Sequence, residues 1–390
     1  MPELSILIPC LNEAASIGAC LEKATSFLST NNIDGEIIVV DNGSEDGSAA
    51  IAKQYKVVIV SEPQKGYGNA INSGINKSAG KYIIMGDADD SYDFSAIMPF
   101  LTLLRQGYDI VIGNRFKGSI RKGAMPFLHR YVGNPLLSFA GRIFFRIRIG
   151  DFHCGLRGFS KSCYEQLELR TTGMEFASEM IVKAAMLKMK ITETPVVLYP
   201  DKRNKPSHLR TWRDGWRHLR FLLLYSPGWL FLIPGIALMI LGLISSVSLV
   251  IGPITIGGKK FHIHTLMYTS GFVLLGFQFI SLYIFTKFYT ATHGLIPHQQ
   301  KFIDWFSRHF KLERGIILGT ILLVAGIFLN IKSFLYWKNT GFGDLNPVKV
   351  LRWVIPSVTL MLLGVQIIIS CFYLSILAIK ITGSEKNINK

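Results

Sequence analysis

Four long apolar runs in the second half of the chain, at about 227–251, 266–286, 315–337 and 353–379, constrain the fold more than any other feature. Each reaches the roughly 20 residues a helix needs to cross a hydrocarbon core. In lipid, backbone amides must be satisfied within a helix or a closed barrel, so runs of this length and composition predict transmembrane helices. The preceding part reads differently, alternating short apolar strands with helical patterns as a soluble α/β domain does. At 390 residues the chain accommodates both. The expected divisions are a domain at 1–210, a juxtamembrane helix at 211–225, a four-span domain at 226–380, and a polar, fraying tail at 381–390.

Charge bears on the partners. Lys and Arg number 42 against 26 Asp and Glu, a net +16. In a membrane protein this surplus points to anionic headgroups or phosphorylated substrates. The basic residues form no nucleic-acid-binding module, so no nucleic-acid partner is expected. Between the second and third spans lie Lys287, Lys301, Arg308, Lys311 and Arg314, and the positive-inside rule assigns that loop to the cytosol. Four spans then place the soluble domain and both termini there, although Lys259, Lys260, Lys338 and Lys349 fall in the two opposite loops. Cys10, Cys20, Cys154, Cys163 and Cys371 show neither CxxC nor metal-ligand spacing, which suits a reducing compartment. Met1-Pro2-Glu3-Leu4 has no charged n-region, so no signal peptide is expected. A helix from about Thr211 to Leu224 interleaves Trp212, Arg213, Trp216, Arg217, His218 and Arg220, a mixture suited to the headgroup layer. Phe302–Phe310 is a second candidate of this kind.

In chain order, strands are expected at Ser5–Ile8 (ending at Pro9), Glu36–Val40, Val57–Val60, Tyr82–Met85, Asp109–Ile112 and Val196–Tyr199. Helices are expected from Ser16, placed as an N-cap, to Ser29, and over Glu175–Lys188. Asp151–Phe159 has the pattern of a loop turning into a strand. Short connections between alternating elements imply a mostly parallel sheet with helices on both faces. Ligands bind beyond the carboxyl ends of such strands. There the chain places Asn12-Glu13, Asp41, Lys65-Gly66 and Asp87-Ala88-Asp89. Carboxylates as close as Asp87, Asp89 and Asp90 repel one another unless a cation or several donors sit among them. A hard ion, Mg²⁺ or Mn²⁺, suits these oxygens and also takes oxygens from substrate phosphates. A nicotinamide-binding domain would show G-x-G-x-x-G after its first strand; here Pro9-Cys10-Leu11-Asn12-Glu13 stands instead.

Seven clusters in order resemble glycosyltransferase family 2, and in particular its polyprenyl-phosphate hexose synthase branch. They are Pro9-x-x-Asn12-Glu13, Asp41-x-x-Ser44-x-Asp46-Gly47, Lys65-Gly66-x-Gly68-x-Ala70, Asp87-x-Asp89, Gly113-x-Arg115, Asp151-x-x-x-Gly155-x-Arg157 and Arg203-x-x-x-Ser207. The resemblance covers about Leu4 to Leu209 and implies a GT-A fold, Rossmann-like with a mostly parallel sheet, followed by an all-α membrane domain of four helices. It implies that Pro9, Asn12, Glu13, Asp41, Lys65, Gly66, Asp87 and Ala88 bind the nucleotide-sugar. Asp87 and Asp89 would hold Mg²⁺ or Mn²⁺, and Arg115, Arg157, Arg203 and Ser207 the acceptor phosphate. Where mannose synthases of this branch carry Gln two residues beyond the second Asp, this chain has Ser91. That departure leans toward UDP-glucose, with GDP-mannose and UDP-N-acetylglucosamine as alternatives.

The implied reaction is inverting transfer of a hexose to a polyprenyl or dolichyl phosphate at the bilayer surface, with Asp89, Asp151 and Arg157 as catalytic candidates. An acceptor phosphate is already ionised near neutral pH, so no strong general base is needed; Asp151 is the carboxylate to orient acceptor or sugar. His153 reads as a packed histidine. A homo-oligomer is left open. The rival readings are a processive polysaccharide synthase, whose Q-x-x-R-W is not matched by Arg210-Thr211-Trp212-Arg213, and a non-enzymatic lipid transporter or scaffold with a degenerate transferase domain.

Overall fold

The computed structural model describes residues 1–201, 211–292, 305–306, 308 and 312–377, which form two compact units, Met1–Tyr225 and Ser226–Lys390. Arg203, Ser207, most of the expected helix at Phe302–Phe310 and the polar tail lie outside the described residues.

In the first unit, β1 (Leu4–Cys10), β2 (Gly35–Asp41), β3 (Val58–Ser61) and β4 (Tyr82–Met85) are parallel. β5 (Ile110–Ile120), β6 (Arg157–Ser160) and β7 (Ile191–Leu198) complete a sheet of order β3-β2-β1-β4-β6-β5-β7. β6 runs antiparallel to both its neighbours, while β5 and β7 are parallel. Leu4, Ile6, Leu7 and Ile8 of β1 have no exposed surface, as a strand covered on both faces requires. This is the expected α/β architecture with one reversed strand.

β1 runs through Pro9, which pairs with Val40, rather than ending at it. The β4 ladder stops at Leu7–Met85, so beyond that point β1 is an edge, where a proline fits. β5 is longer than the expected Asp109–Ile112 because a bulge between Asn114 and Ser119 lets pairing with β7 resume. The Asn114 side chain caps that bulge, accepting from the amides of Phe116 and Lys117 at 2.9 and 2.8 Å. β7 begins at Ile191 and tolerates Pro195 because it is an edge strand.

The helices are α1 (Ile17–Thr30), α2 (Ser48–Ala52), α3 (Tyr67–Lys77), α4 (Met98–Arg105), α5 (Asn134–Phe145), α6 (Lys161–Leu167), α7 (Phe176–Met186) and α8 (Thr211–Tyr225). Ser16 precedes α1 but makes no side-chain cap. Its hydroxyl instead donates to Glu13, at 3.2 Å to the carboxylate and 3.3 Å to the carbonyl.

The second unit contains α9 (Ile233–Ile251), a hairpin of β8 (Ile254–Ile256) and β9 (Lys259–Phe261), α10 (Ile263–Thr292), α11 (Leu312–Asn339) and α12 (Pro347–Leu377). Among the described residues, four helices here are long and apolar enough to cross a bilayer. α11 and α12 pack at small residues, where Ser357 Oγ donates to the Gly326 carbonyl at 2.8 Å. Outward-facing Ile244, Phe328 and Ile369 are exposed, as lipid-contacting residues are.

Candidate active site

The carboxyl ends of β1, β2 and β4 bring the predicted donor-side clusters together. At the end of β4, Asp87 Oδ1 accepts from the Tyr67 hydroxyl at 3.2 Å. Burial first, and the Asp87 charge next, push the Tyr67 hydroxyl well above its ordinary value of 10, so it remains a donor. Asp89 is nearly buried, and its Oδ1 accepts from the Ser91 amide at 3.0 Å, closing a tight Asx turn. Ala88 is buried between the two. Asp90 takes a left-handed φ of 59° and pairs with Lys23 of α1 at 2.7 Å. The acidic turn is therefore pinned from two sides.

Asn12 and Glu13 are held by the turn after β2. Asn12 donates its amide to Ser44 Oγ at 3.0 Å and accepts from the Glu45 amide at 2.8 Å; Glu13 donates its amide to Ser48 Oγ at 2.8 Å. Asp41 Oδ1 accepts from Ser44 N at 3.0 Å, which folds the same turn. Asn42, which sequence reasoning passed over as a turn residue, proves central. Its Nδ2 donates to the carbonyls of Glu62 and Gln64 at 2.9 and 2.8 Å, and its Oδ1 accepts from Gly66 N at 2.8 Å. Lys65 is exposed beside it. Gly66 has φ +147°, and a side chain there would collide with the Thr172 carbonyl.

That contact with Thr172 exposes a second omission. Glu179 of α7 has no exposed surface. It accepts from the amides of Arg170 (3.1 Å) and Thr171 (2.8 Å) and from Thr171 Oγ1 (2.7 Å), and pairs with Lys183 at 2.8 Å. Glu179 thereby holds 170–172 against the start of α3. In sequence it is an ordinary helical glutamate; only the return of 170–172 to α3 gives it this task.

Of the residues expected on the acceptor side, Arg115, Asp151 and Arg157 are buried. Asp151 is fully buried, and both oxygens engage Arg115: Nε to Oδ2 at 2.6 Å and Nη2 to Oδ1 at 2.7 Å. Arg157 is also fully buried; it donates to the carbonyls of Cys154 and Phe152 at 2.8 and 2.7 Å and to that of Ala177. The expected roles, Asp151 orienting the acceptor or sugar and Arg157 contacting the acceptor phosphate, fall on two side chains without exposed surface. In this geometry the two residues hold the 151–157 loop, because a buried guanidinium needs each donor matched. His153 is packed, as anticipated, with its ring 4.5 Å from that of His218. Burial, then the charges of His218, Arg115 and Arg157, keep it well below 6.5 and neutral.

The loop so held lies against the acidic turn. Tyr92 Oη accepts from Gly155 N at 3.1 Å, and a side chain at Gly155 would overlap the Asp87 carboxylate.

Residues 5–168 match Glycosyl transferase family 2, and residues 284–378 match the glycosyltransferase family 2 C-terminal transmembrane region. The low-salt glycan biosynthesis hexosyltransferase Agl6 of Haloferax volcanii is 36% identical over 96% of this chain and 88% of its own. The chain belongs to glycosyltransferase family 2. A dolichyl-phosphate hexose transferase of the same organism is 28% identical over 50% of this chain and 82% of its own. Among solved structures, glucosyl-3-phosphoglycerate synthase from Mycobacterium tuberculosis covers 58% of this chain and 80% of its own, at 20% identity and a TM-score of 0.45. The protein is thus a family 2 glycosyltransferase and, by its four apolar helices and matching transmembrane region, an integral membrane protein.

For this glycosyltransferase, a divalent ion fits the acidic turn by donor chemistry. Among the described residues no group of three or more His, Cys, Asp or Glu is placed to hold a metal. Asp87 and Asp89 offer hard oxygens at the strand end, which suits an ion that completes its shell with diphosphate and water.

Proposed function

We propose that this family 2 glycosyltransferase transfers a hexose from a nucleotide-sugar to a polyprenyl or dolichyl phosphate at the cytosolic membrane face, inverting the anomeric carbon. UDP-glucose is the favoured donor, with GDP-mannose and UDP-N-acetylglucosamine as alternatives. One observation supports the reading: Gly155, in the loop that the resemblance assigns to the acceptor, is seated directly on Asp87, which it assigns to the donor. The names of the Haloferax relatives, one a hexosyltransferase of glycan biosynthesis and the other a dolichyl-phosphate hexose transferase, support the substrate classes.

On the donor side, the 12–13 and 41–48 segments form the nucleotide wall, with Asn42 setting the position of Lys65-Gly66 beside the diphosphate. Asp87 and Asp89 would hold Mg²⁺ or Mn²⁺, which neutralises charge on the departing diphosphate. On the acceptor side, Arg203 and Ser207 retain the phosphate-binding role that the resemblance implies. Arg115 reaches that role only by exchanging its fork with Asp151 for the phosphate. The lipid phosphate is its own nucleophile, so the buried Asp151 positions Arg115 rather than removing a proton. The basic loop between the second and third spans supports the cytosolic orientation.

The test uses the full chain purified in detergent, with Mn²⁺, polyprenyl phosphate and each labelled donor in turn. Label should enter the organic phase with one donor and fail to do so in Asp89→Ala. Bound nucleotide without transfer would point to another donor or acceptor, and absence of nucleotide binding would overturn the enzyme reading of this site.

A further inference from the structure

The membrane unit repeats itself. Leu-Leu-Gly-x-Gln occurs in α10 as Leu274–Gln278 and in α12 as Leu362–Gln366. The packing repeats with it. A side chain at Gly276 would meet the Gly235 carbonyl of α9, and one at Gly364 the Gly319 carbonyl of α11. One at Gly242 would meet the Thr269 carbonyl, and one at Gly326 that of Ser357. The hairpins α9–α10 and α11–α12 are therefore two versions of one packed module, in which α10 and α12 take the same place.

The two versions differ in what covers them. On α12, Pro356, Thr359, Leu363, Gln366 and Ser370 are all half-buried, and the side-chain oxygen of Gln366 is buried. Their counterparts on α10 are Tyr268, Gly271, Leu275, Gln278 and Leu282. Tyr268, Leu275 and Leu282 are 66%, 46% and 41% exposed, and Gln278 is exposed as well. Nothing stands within 4 Å of where a side chain at Gly271 would begin. The spacing alternates between three and four residues, the period of a seam that packs against a parallel helix, and a glycine in such a seam lets two backbones approach.

Gln278 indicates what fills the seam. It lies midway along α10 (Ile263–Thr292), where a span of this length reaches the bilayer centre. Hydrocarbon offers an amide no hydrogen bond, and Gln278 bonds to no other described residue. Polar side chains in spans hydrogen-bond to another helix. Every copy of the chain inserts in one orientation, so two copies related by a two-fold axis along the membrane normal bring α10 against α10 in parallel. Each seam residue then meets its own counterpart. A primary amide both donates and accepts, so Gln278 is complementary to itself. No charged side chain lies between His264 and Lys287 to oppose the approach.

We propose that this chain pairs with a second copy of itself through the open face of α10, with Gln278 hydrogen-bonded to Gln278 of the partner subunit at the two-fold axis. The pairing goes beyond the transfer reaction and does not depend on which sugar is moved. It holds two catalytic units together on one membrane face.

The experiment uses the full chain carrying Cys371→Ser, reconstituted in liposomes. Leu275→Cys and Leu282→Cys are the seam variants, and Ile369→Cys, at an exposed position on α12, is the control. Oxidation should link each seam variant into disulfide dimers several-fold more completely than Ile369→Cys, and dilution with further lipid should preserve that ratio. Gln278→Leu added to Leu275→Cys should lower the dimer yield several-fold, whereas Gln278→Asn should retain most of it, with circular dichroism unchanged in both. Seam yields no higher than that of Ile369→Cys would overturn the proposal. So would a yield unmoved by Gln278→Leu, which would leave the amide no part in pairing. Cross-links in native membranes to a different protein alone would also overturn it and assign the seam to another partner.

Discussion

Gly155 and Asp87 are in direct apposition: the main chain of the acceptor-side loop lies where only a hydrogen at position 155 leaves room for the Asp87 carboxylate. This relationship joins the two halves of the site, and it makes a backbone atom part of the acidic turn's environment.

Gly155→Ala should therefore displace Asp87 while sparing the fold, since the overlap falls on a side-chain carboxylate. The apparent Mn²⁺ requirement for transfer should rise roughly 10- to 100-fold, the usual range when a group supporting a metal ligand is disturbed. Metal titrations of both proteins at saturating donor would decide it; superimposable curves would separate Asp87 from the metal.

The Arg115–Asp151 pair is buried on both sides. Removing one partner leaves the other charge buried alone, at a cost of about 3–5 kcal/mol. Arg115→Met and Asp151→Leu should each lower the melting temperature of the catalytic unit. The double variant should recover most of that loss while remaining inactive. Equal destabilisation in all three would mean that shape, not charge pairing, dominates.

Glu179 ties stability to pH. Burial raises its pKa, but bonds from Lys183 and Thr171 outweigh burial and hold it below the ordinary 4.5. Its contribution is fully present above about pH 4.5 and is lost as pH falls through the lowered folded value. Thermal unfolding between pH 3 and 7 should thus fall more steeply toward acid in the wild type than in Glu179→Gln. Parallel profiles would remove Glu179 from the linkage.

Asn42→Ala should loosen Lys65-Gly66 by deleting three bonds, each worth about 1 kcal/mol. The expected signature is a donor KM raised roughly tenfold, equivalent to about 1.4 kcal/mol, with kcat little changed. A change confined to kcat would place Asn42 in the chemical step instead.

Local pattern made much of this protein legible. Tyr82–Met85 is a strand with the expected ends because four apolar residues lead straight into a turn of aspartates. The parallel half of the sheet follows from short strand–helix alternation. The reversal of β6 does not, since its direction depends on the loop before it and not on its own four residues. Arg157 shows the main limit. Its charge and its place in the motif suggest a phosphate contact, whereas its burial against three carbonyls depends on the folded 152–154 and 177 backbone and is invisible in the sequence. Glu179 and Asn42 escape notice for the converse reason. Their neighbours in space lie far away in sequence, or in a stretch that resembles any polar turn.

Because β6 runs against β4, the loop entering β6 arrives beside the acidic turn from the opposite chain direction. The long 121–156 connection therefore joins β5 to the strand end that faces Asp87, so a change in its length or sequence can alter what lies against the acidic turn while β1, β2 and β3 keep their pairing.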